Sequence, residues 1–290
     1  FTNVKFCYLP DCDFLALIEK KLDLPQYTKA QTYDPAFNPT IIWNRCNPAT
    51  PEHEYIIQKQ SIEAPLKGLR VVPEGDPLRQ MGESMDGALV VPVLRHDGVI
   101  SSLQFITVGE VAKRLKASEK PTKLNLRGAS MDGWFTVGQM SPGGLVYVCE
   151  GIGTAWAAWK ATGAAAVVCF GAGNMQKVAV ALLQQDSAVR LVVCPDVGKE
   201  DEAKSIAAAV GGAVAAMPEG WPKNSDFNDL GQSEGFDVVA WVLKNAQQPP
   251  KPEAKPHPLA LFVDFEGNAK PPRWTIQGFI GHGVTVISGA

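Results

Sequence analysis

Gly144-Leu-Val-Tyr-Val-Cys149 is a short apolar run that stops abruptly at Glu150-Gly151, and the chain then repeats that pattern. Ala164–Cys169 is apolar and is followed by Gly171-Ala-Gly-Asn174. Val189–Cys194 is apolar and is followed by Pro195-Asp196-Val-Gly198. Gly212–Met217 is a fourth such run. Between them, Thr154–Thr162, Met175–Gln185 and Glu200–Val210 carry helical patterns. Apolar strands alternating with helices predict βαβ units, so the fold class is α/β with a parallel sheet covered on both faces. The crossovers are expected to be right-handed. Ligands of such sheets bind at the carboxyl ends of the strands. Here those ends carry Glu150, Gly171–Asn174 and Asp196.

Upstream the pattern changes. Leu89–Leu94 and Val99–Ile106 read as two strands around a His96-Asp97-Gly98 turn. Val111–Leu115 reads as a short helix or loop edge, Trp134–Val137 as another strand, and Phe14–Leu22 as a helix. This part is therefore α+β with an antiparallel sheet. Downstream, Pro249, Pro250, Pro252, Pro256 and Pro258 cannot continue a helix and read as a semi-rigid linker. The expected division is 1–143, 144–247, a linker at 248–272, and the beginning of something further at 273–290.

The 290 residues carry 27 Lys+Arg and 30 Asp+Glu, a net charge of −3. That excludes a uniformly basic nucleic-acid coat but leaves room for a local patch. The patch is at 111–127, where Lys113, Arg114, Lys116, Lys120, Lys123 and Arg127 face only Glu119. A solvated helix face accounts equally well for Lys113, Arg114, Lys116 and Lys120. No apolar run approaches the ~18 residues that span a bilayer. The six cysteines form no Cys-x-x-Cys pair and read as reduced thiols. Cys7 and Cys12 are too few for zinc, so no zinc site is evident. Starting on Phe1, the chain reads as a partial or processed one.

The acidic residues line up next. Glu150 ends the first strand, Asp196 the third, and Asp226 and Asp229 lie in Ser225-Asp-Phe-Asn-Asp229-Leu after the fourth. Carboxylates converging on one sheet edge repel each other unless a cation neutralises them, and hard oxygen donors select Mg²⁺ or Mn²⁺. Two such ions can serve phosphoryl transfer. Each residue also has a plainer role open to it. Asp196 could cap the following helix, Asp226–Asp229 could be a turn and N-cap, and Gly171–Asn174 could be a tight loop.

Residues 146–230 resemble a Toprim domain, on Val148-Cys149-Glu150-Gly151 with Thr154-Ala155, then Asp196, then Asp226-Phe-Asn-Asp229-Leu. His53-Glu-Tyr55 through Lys59, Gly68-Leu-Arg70, Leu89–Pro92, Asp97-Gly98, Ser102–Ile106, Gly133–Gly138 and Phe170–Asn174 are similar to plasmid- and phage-type primase–helicases. The resemblance implies a Toprim Rossmann-like domain behind an N-terminal α+β primase subdomain. It implies an enzyme that makes RNA primers on single-stranded DNA from ribonucleoside triphosphates with Mg²⁺ or Mn²⁺. Glu150 would be the catalytic and metal-organising glutamate, with Asp196, Asp226 and Asp229 holding ions. Lys123, Arg127, Lys199, Gly151 and Asn174 would handle template or nucleotide, with Lys59 and Arg70 as weaker candidates. Gly198 stands where the family's Asp-x-Asp motif has its second Asp, and Glu200, Asp201 or Asp226 could compensate. Gly281–Ala290 resembles the strand leading into the P-loop of a RecA-like helicase, which implies a fused helicase module. The implied setting is the cytoplasm of a bacterial host, on a mobile element, with no membrane partner. A Toprim nuclease, or a binding module whose metal site has decayed, is the alternative.

Overall fold

The computed structural model describes residues 37–249 and the short segments 274–276 and 280–281. The helix expected at Phe14–Leu22, Cys7 and Cys12, most of the Pro-rich linker and the chain after Gly281 lie outside those residues. Two compact units meet between Gln248 and Pro249.

The first unit opens with α1 (Pro39–Arg45), capped by the Asn38 side chain, then β1 (Asn47–Pro48) and α2 (Glu54–Gln58). Next come β2 (Arg70–Val71), the small hairpin β3 (Arg79–Gln80) and β4 (Glu83–Ser84), β5 (Leu89–Leu94) and β6 (Ile100–Ile106). α3 (Gly109–Ala117) and β7 (Lys123–Asn125) complete this part. The sheet order β1-β2-β5-β6-β7 is antiparallel throughout, as the alternating upstream pattern predicts. At the β5–β6 turn, Asp97 Oδ1 accepts the Val99 N–H at 3.0 Å. α3 is longer than the short helix or loop edge expected from Val111–Leu115.

The second sheet begins with β8 (Phe135–Val137), β9 (Leu145–Cys149), α4 (Ile152–Thr162) and β10 (Ala165–Val168). It continues through α5 (Ala172–Gln185), β11 (Arg190–Cys194), α6 (Glu200–Val210) and β12 (Ala213–Val214). The helices α7 (Phe227–Glu234) and α8 (Phe236–Lys244) close the unit. The order is β12-β11-β9-β10-β8, with β9 to β12 parallel. β8 runs antiparallel beside β10, so Trp134–Val137, expected among the upstream antiparallel strands, belongs to this sheet instead. The helix expected at Met175–Gln185 already starts at Ala172, so it takes in most of the Gly171–Asn174 turn.

Side-chain alternation explains the layers. Val146 and Val148 of β9 pack with Met175, Val178, Leu182, Ile206 and Ala207 from α5 and α6. Tyr147 and Cys149 face the other way, onto α4, α7 and α8. α4 is buried from Ile152 through Ala158, which its small residues allow. The same core takes in Tyr55 and Ile56 of α2 and Leu89, Val91 and Ile106 of the first sheet. The two sheets are thus packed through one continuous apolar layer, and an antiparallel bridge joins Leu94 to Trp134. In the second unit, β13 (Trp274–Ile276) pairs antiparallel with β14 (Ile280–Gly281).

Candidate active site

β9 and β11 are paired in register, Cys149 opposite Cys194, so the residues that follow them emerge side by side. Glu150 and Asp196 therefore meet at the carboxyl edge of the sheet, next to the point where the crossovers change side. Asp196 is the most perturbed carboxyl there. Burial raises it first, then the charges of Glu150 and Asp226, and it reaches about 7 despite the opposing pull of Lys123. Its Oδ1 is buried with no hydrogen-bond partner. A carboxylate in that position lacks a counter-charge.

A cleft of about 500 Å³ opens in front of Asp196. One wall is Asp196, Asn224, Asp226 and Asp229. The other comes from the first sheet and its helices, including Lys59, Lys113, Lys116 and Lys123. Lys123 belongs to β7, where Leu124 points into the core and its neighbours are exposed. Its ammonium reaches across to the second sheet. A Cβ placed on Gly151 would stand only 3.2 Å from Lys123 Nζ, so the glycine makes room for the lysine. Two of the six residues of the basic run are tied down locally. Lys113 pairs with Glu110 at 2.7 Å and Arg114 with Glu83 at 2.7 Å.

Asp226 is the N-cap of α7. Its Oδ1 accepts the N–H groups of Asn228 and Asp229 at 2.8 and 3.0 Å, while Asp229 Oδ2 accepts the Asp226 N–H at 3.1 Å. The plainer role is therefore realised as a reciprocal capping box, and the same two carboxylates also line the cleft. Lys59 lies 3.5 Å from Asp229 Oδ1 and 4.0 Å from Asp226 Oδ2. Sequence reasoning ranked Lys59 low. The available signal was its i+4 spacing from the buried Tyr55, which turns it to the same side as that core residue.

Several expected site residues stand elsewhere. Asn174 Nδ2 donates to the carbonyls of Met131, Gly133 and Cys169 at 3.2, 3.2 and 3.0 Å. Its amide clamps a loop to the sheet, and it lines a different cavity with Arg95 and Trp134. Lys199 is exposed just before α6, and Arg127 is exposed beyond β7. Neither lines the cleft. Arg70 stacks on Trp43 at 4.7 Å and donates to its carbonyl at 2.7 Å, which is a structural role. Glu150 is also absent from the cleft walls and reaches the site through its field on Asp196.

Gly198 has φ +92°, a backbone that an Asp would strain, and its N–H is held by the Glu200 carboxylate at 2.8 and 3.0 Å. Among the described residues, no three His, Cys, Asp or Glu side chains gather closely enough to cage an ion. A Mg²⁺ or Mn²⁺ ion needs no such cage, since one or two carboxylates plus water and phosphate oxygens suffice. The unpartnered Asp196 oxygen beside Glu150 fits that requirement.

Residues 145–237 match the Toprim domain family. Solved structures resemble a larger share. The zinc-binding and RNA polymerase domains of the Aquifex aeolicus primase align at 12% identity over 80% of this chain and 67% of that one, TM-score 0.49. The RNA polymerase domain of the Mycobacterium tuberculosis primase aligns at 14% identity over 72% of this chain and 81% of that one, TM-score 0.45. The primase fragment of the bacteriophage T7 primase-helicase aligns at 17% identity over 54% of this chain, TM-score 0.39, and the match spans 62% of that fragment. No curated protein matches the chain in sequence. No helix among the described residues is long and apolar enough to cross a membrane.

Proposed function

We propose that the chain is the polymerising core of a DNA primase, joining ribonucleotides on a single-stranded DNA template. The observation that carries this reading is Asp196. It is a half-buried carboxylate with one buried oxygen lacking a partner, set against Glu150 at a Toprim sheet edge and faced across a cleft by lysines. A site that sets Asp196, Asp226 and Asp229 opposite Lys113, Lys116 and Lys123 suits a reaction between phosphate groups.

In that reaction the 3′-hydroxyl of one nucleotide attacks the α-phosphate of the next, and pyrophosphate leaves. Glu150 takes the proton from the attacking hydroxyl. Glu150 and Asp196 hold a Mg²⁺ or Mn²⁺ ion, which when bound neutralises charge on the reacting phosphate. Lys123, with Lys113 and Lys116, attracts the triphosphate and the template backbone, so binding weakens steeply with salt. The sequence resemblance at Gly281–Ala290 supports a fused helicase module, as in a phage or plasmid primase–helicase.

The test mixes the protein with single-stranded DNA, labelled ribonucleotides and Mn²⁺. Extension is expected, and Glu150→Gln or Asp196→Asn should abolish it in a folded protein. Full activity in either variant overturns the assignment. Degradation of the DNA would instead mean a nuclease, and neither outcome would mean a binding module.

A further inference from the structure

Asp226 and Asp229 offer four carboxylate oxygens, and each has a neighbour of opposite polarity. Asp226 Oδ1 and Asp229 Oδ2 are consumed by the capping box. The other two, Asp226 Oδ2 and Asp229 Oδ1, are those nearest Lys59 Nζ, at 4.0 and 3.5 Å. The lysine is built into this corner. Its carbonyl accepts the side chain of Asn228 at 2.8 Å, and Asn228 is fully buried in the first turn of α7. The backbone of Lys59 is thus tied to the helix whose N-terminus carries both acids. Gly153 of α4 supplies the space. A Cβ there would lie 3.4 Å from both Lys59 Cε and Asp226 Oδ2. The Lys59 and Asp226 side chains are only 18% and 14% exposed, so water screens them little.

Of the other carboxylates that line the cleft, Glu54 accepts the Gly109 N–H at 3.2 Å, and Asp196 keeps a buried oxygen with no partner.

We propose that Lys59 is the built-in counter-ion of the Asp226–Asp229 corner, holding the place a divalent cation would otherwise take. The divalent ion is then held at Glu150–Asp196, at the edge of the cleft, alone. This second clause rests on the functional reading above, whereas the first does not. Lys59 is a positioning residue in this scheme, because its charge acts through the two aspartates. An ammonium is a compact point charge, and its removal leaves two half-buried carboxylates facing one another.

The experiment counts bound Mn²⁺ by electron paramagnetic resonance on the full chain without nucleotide. Lys59→Met should bind one Mn²⁺ more than the parent protein. Lys59→Arg should keep the parent count, and Lys59→Met with Asp229→Asn should return to it. Equal counts in the parent and Lys59→Met overturn the proposal. Should Lys59→Met fail to fold, Asp229→Asn alone decides. Asp229 is 42% exposed, so this variant is expected to fold, with no Mn²⁺ lost. Loss of an ion in that variant overturns the proposal. Asp196→Asn, in turn, should lose the parent ion. If it keeps that ion, the Glu150–Asp196 reading fails while the Lys59 comparison still stands.

Discussion

Two acidic corners face the same cleft and are opposites in chemistry. Asp196 is half-buried, raised to about 7 and left with a buried, unpartnered oxygen. Asp226 and Asp229 are hydrogen-bonded to backbone N–H groups and lie beside a lysine. In sequence all three are aspartates downstream of an apolar strand. The difference teaches that an acid earns a catalytic reading from what is missing around it. A carboxylate whose neighbours already satisfy it stabilises the fold. One whose neighbours repel it stores a cost that a ligand can relieve.

The largest effect should come from Asp196→Asn. Primer extension should fall on the order of 100- to 1000-fold, while thermal melting in chelator rises, because an uncompensated buried charge is gone. A melting temperature that falls instead would mean that Asp196 is a stabilising residue like its neighbours. Asp226→Ala should act the opposite way. Losing the α7 cap costs about 1–2 kcal/mol, read as a lower denaturant midpoint, and it strands Lys59 near the core. Unchanged stability would erase the contrast between the corners. Asn174→Ala removes the side chain from three carbonyls and should cost about 1–2 kcal/mol, with single-stranded DNA affinity unaltered in a filter-binding assay.

pH sharpens the comparison further. Asp196 is raised when folded, first by burial and then by Glu150 and Asp226. The folded protein therefore keeps a proton that the unfolded chain has lost between about pH 4 and about pH 7. The stability due to this group is present below that window and is lost as pH rises through it, by at most about 1.4 kcal/mol per pH unit. Denaturant midpoints in chelator should show this slope in the parent and a flatter one in Asp196→Asn. The smallest effect belongs to Lys199→Ala, expected within about 0.5 kcal/mol in stability and without change in extension.

Much of this was legible in the chain itself. The strands ending at Cys149 and Cys194 were readable because an apolar run needs a buried sheet, and the acids after them were readable because a run that stops at Glu150 or Asp196 must leave the core there. That β8 joins the second sheet was not legible, since three residues do not show which strand they pair with. The partners of Asn174 were not legible either. A Gly-rich turn after a strand looks the same whether its amide meets a phosphate or, as here, three carbonyls from a distant loop.

The sequence by itself determined the α/β class, the strand ends and which acids could converge, because periodicity and strand termination are local properties. Only the tertiary structure decided which acids are paired. Lys59 and Asp229 are separated by 170 positions, and no local pattern couples them. The common core of the two sheets brings them within reach, and that same packing leaves Asp196 unmatched.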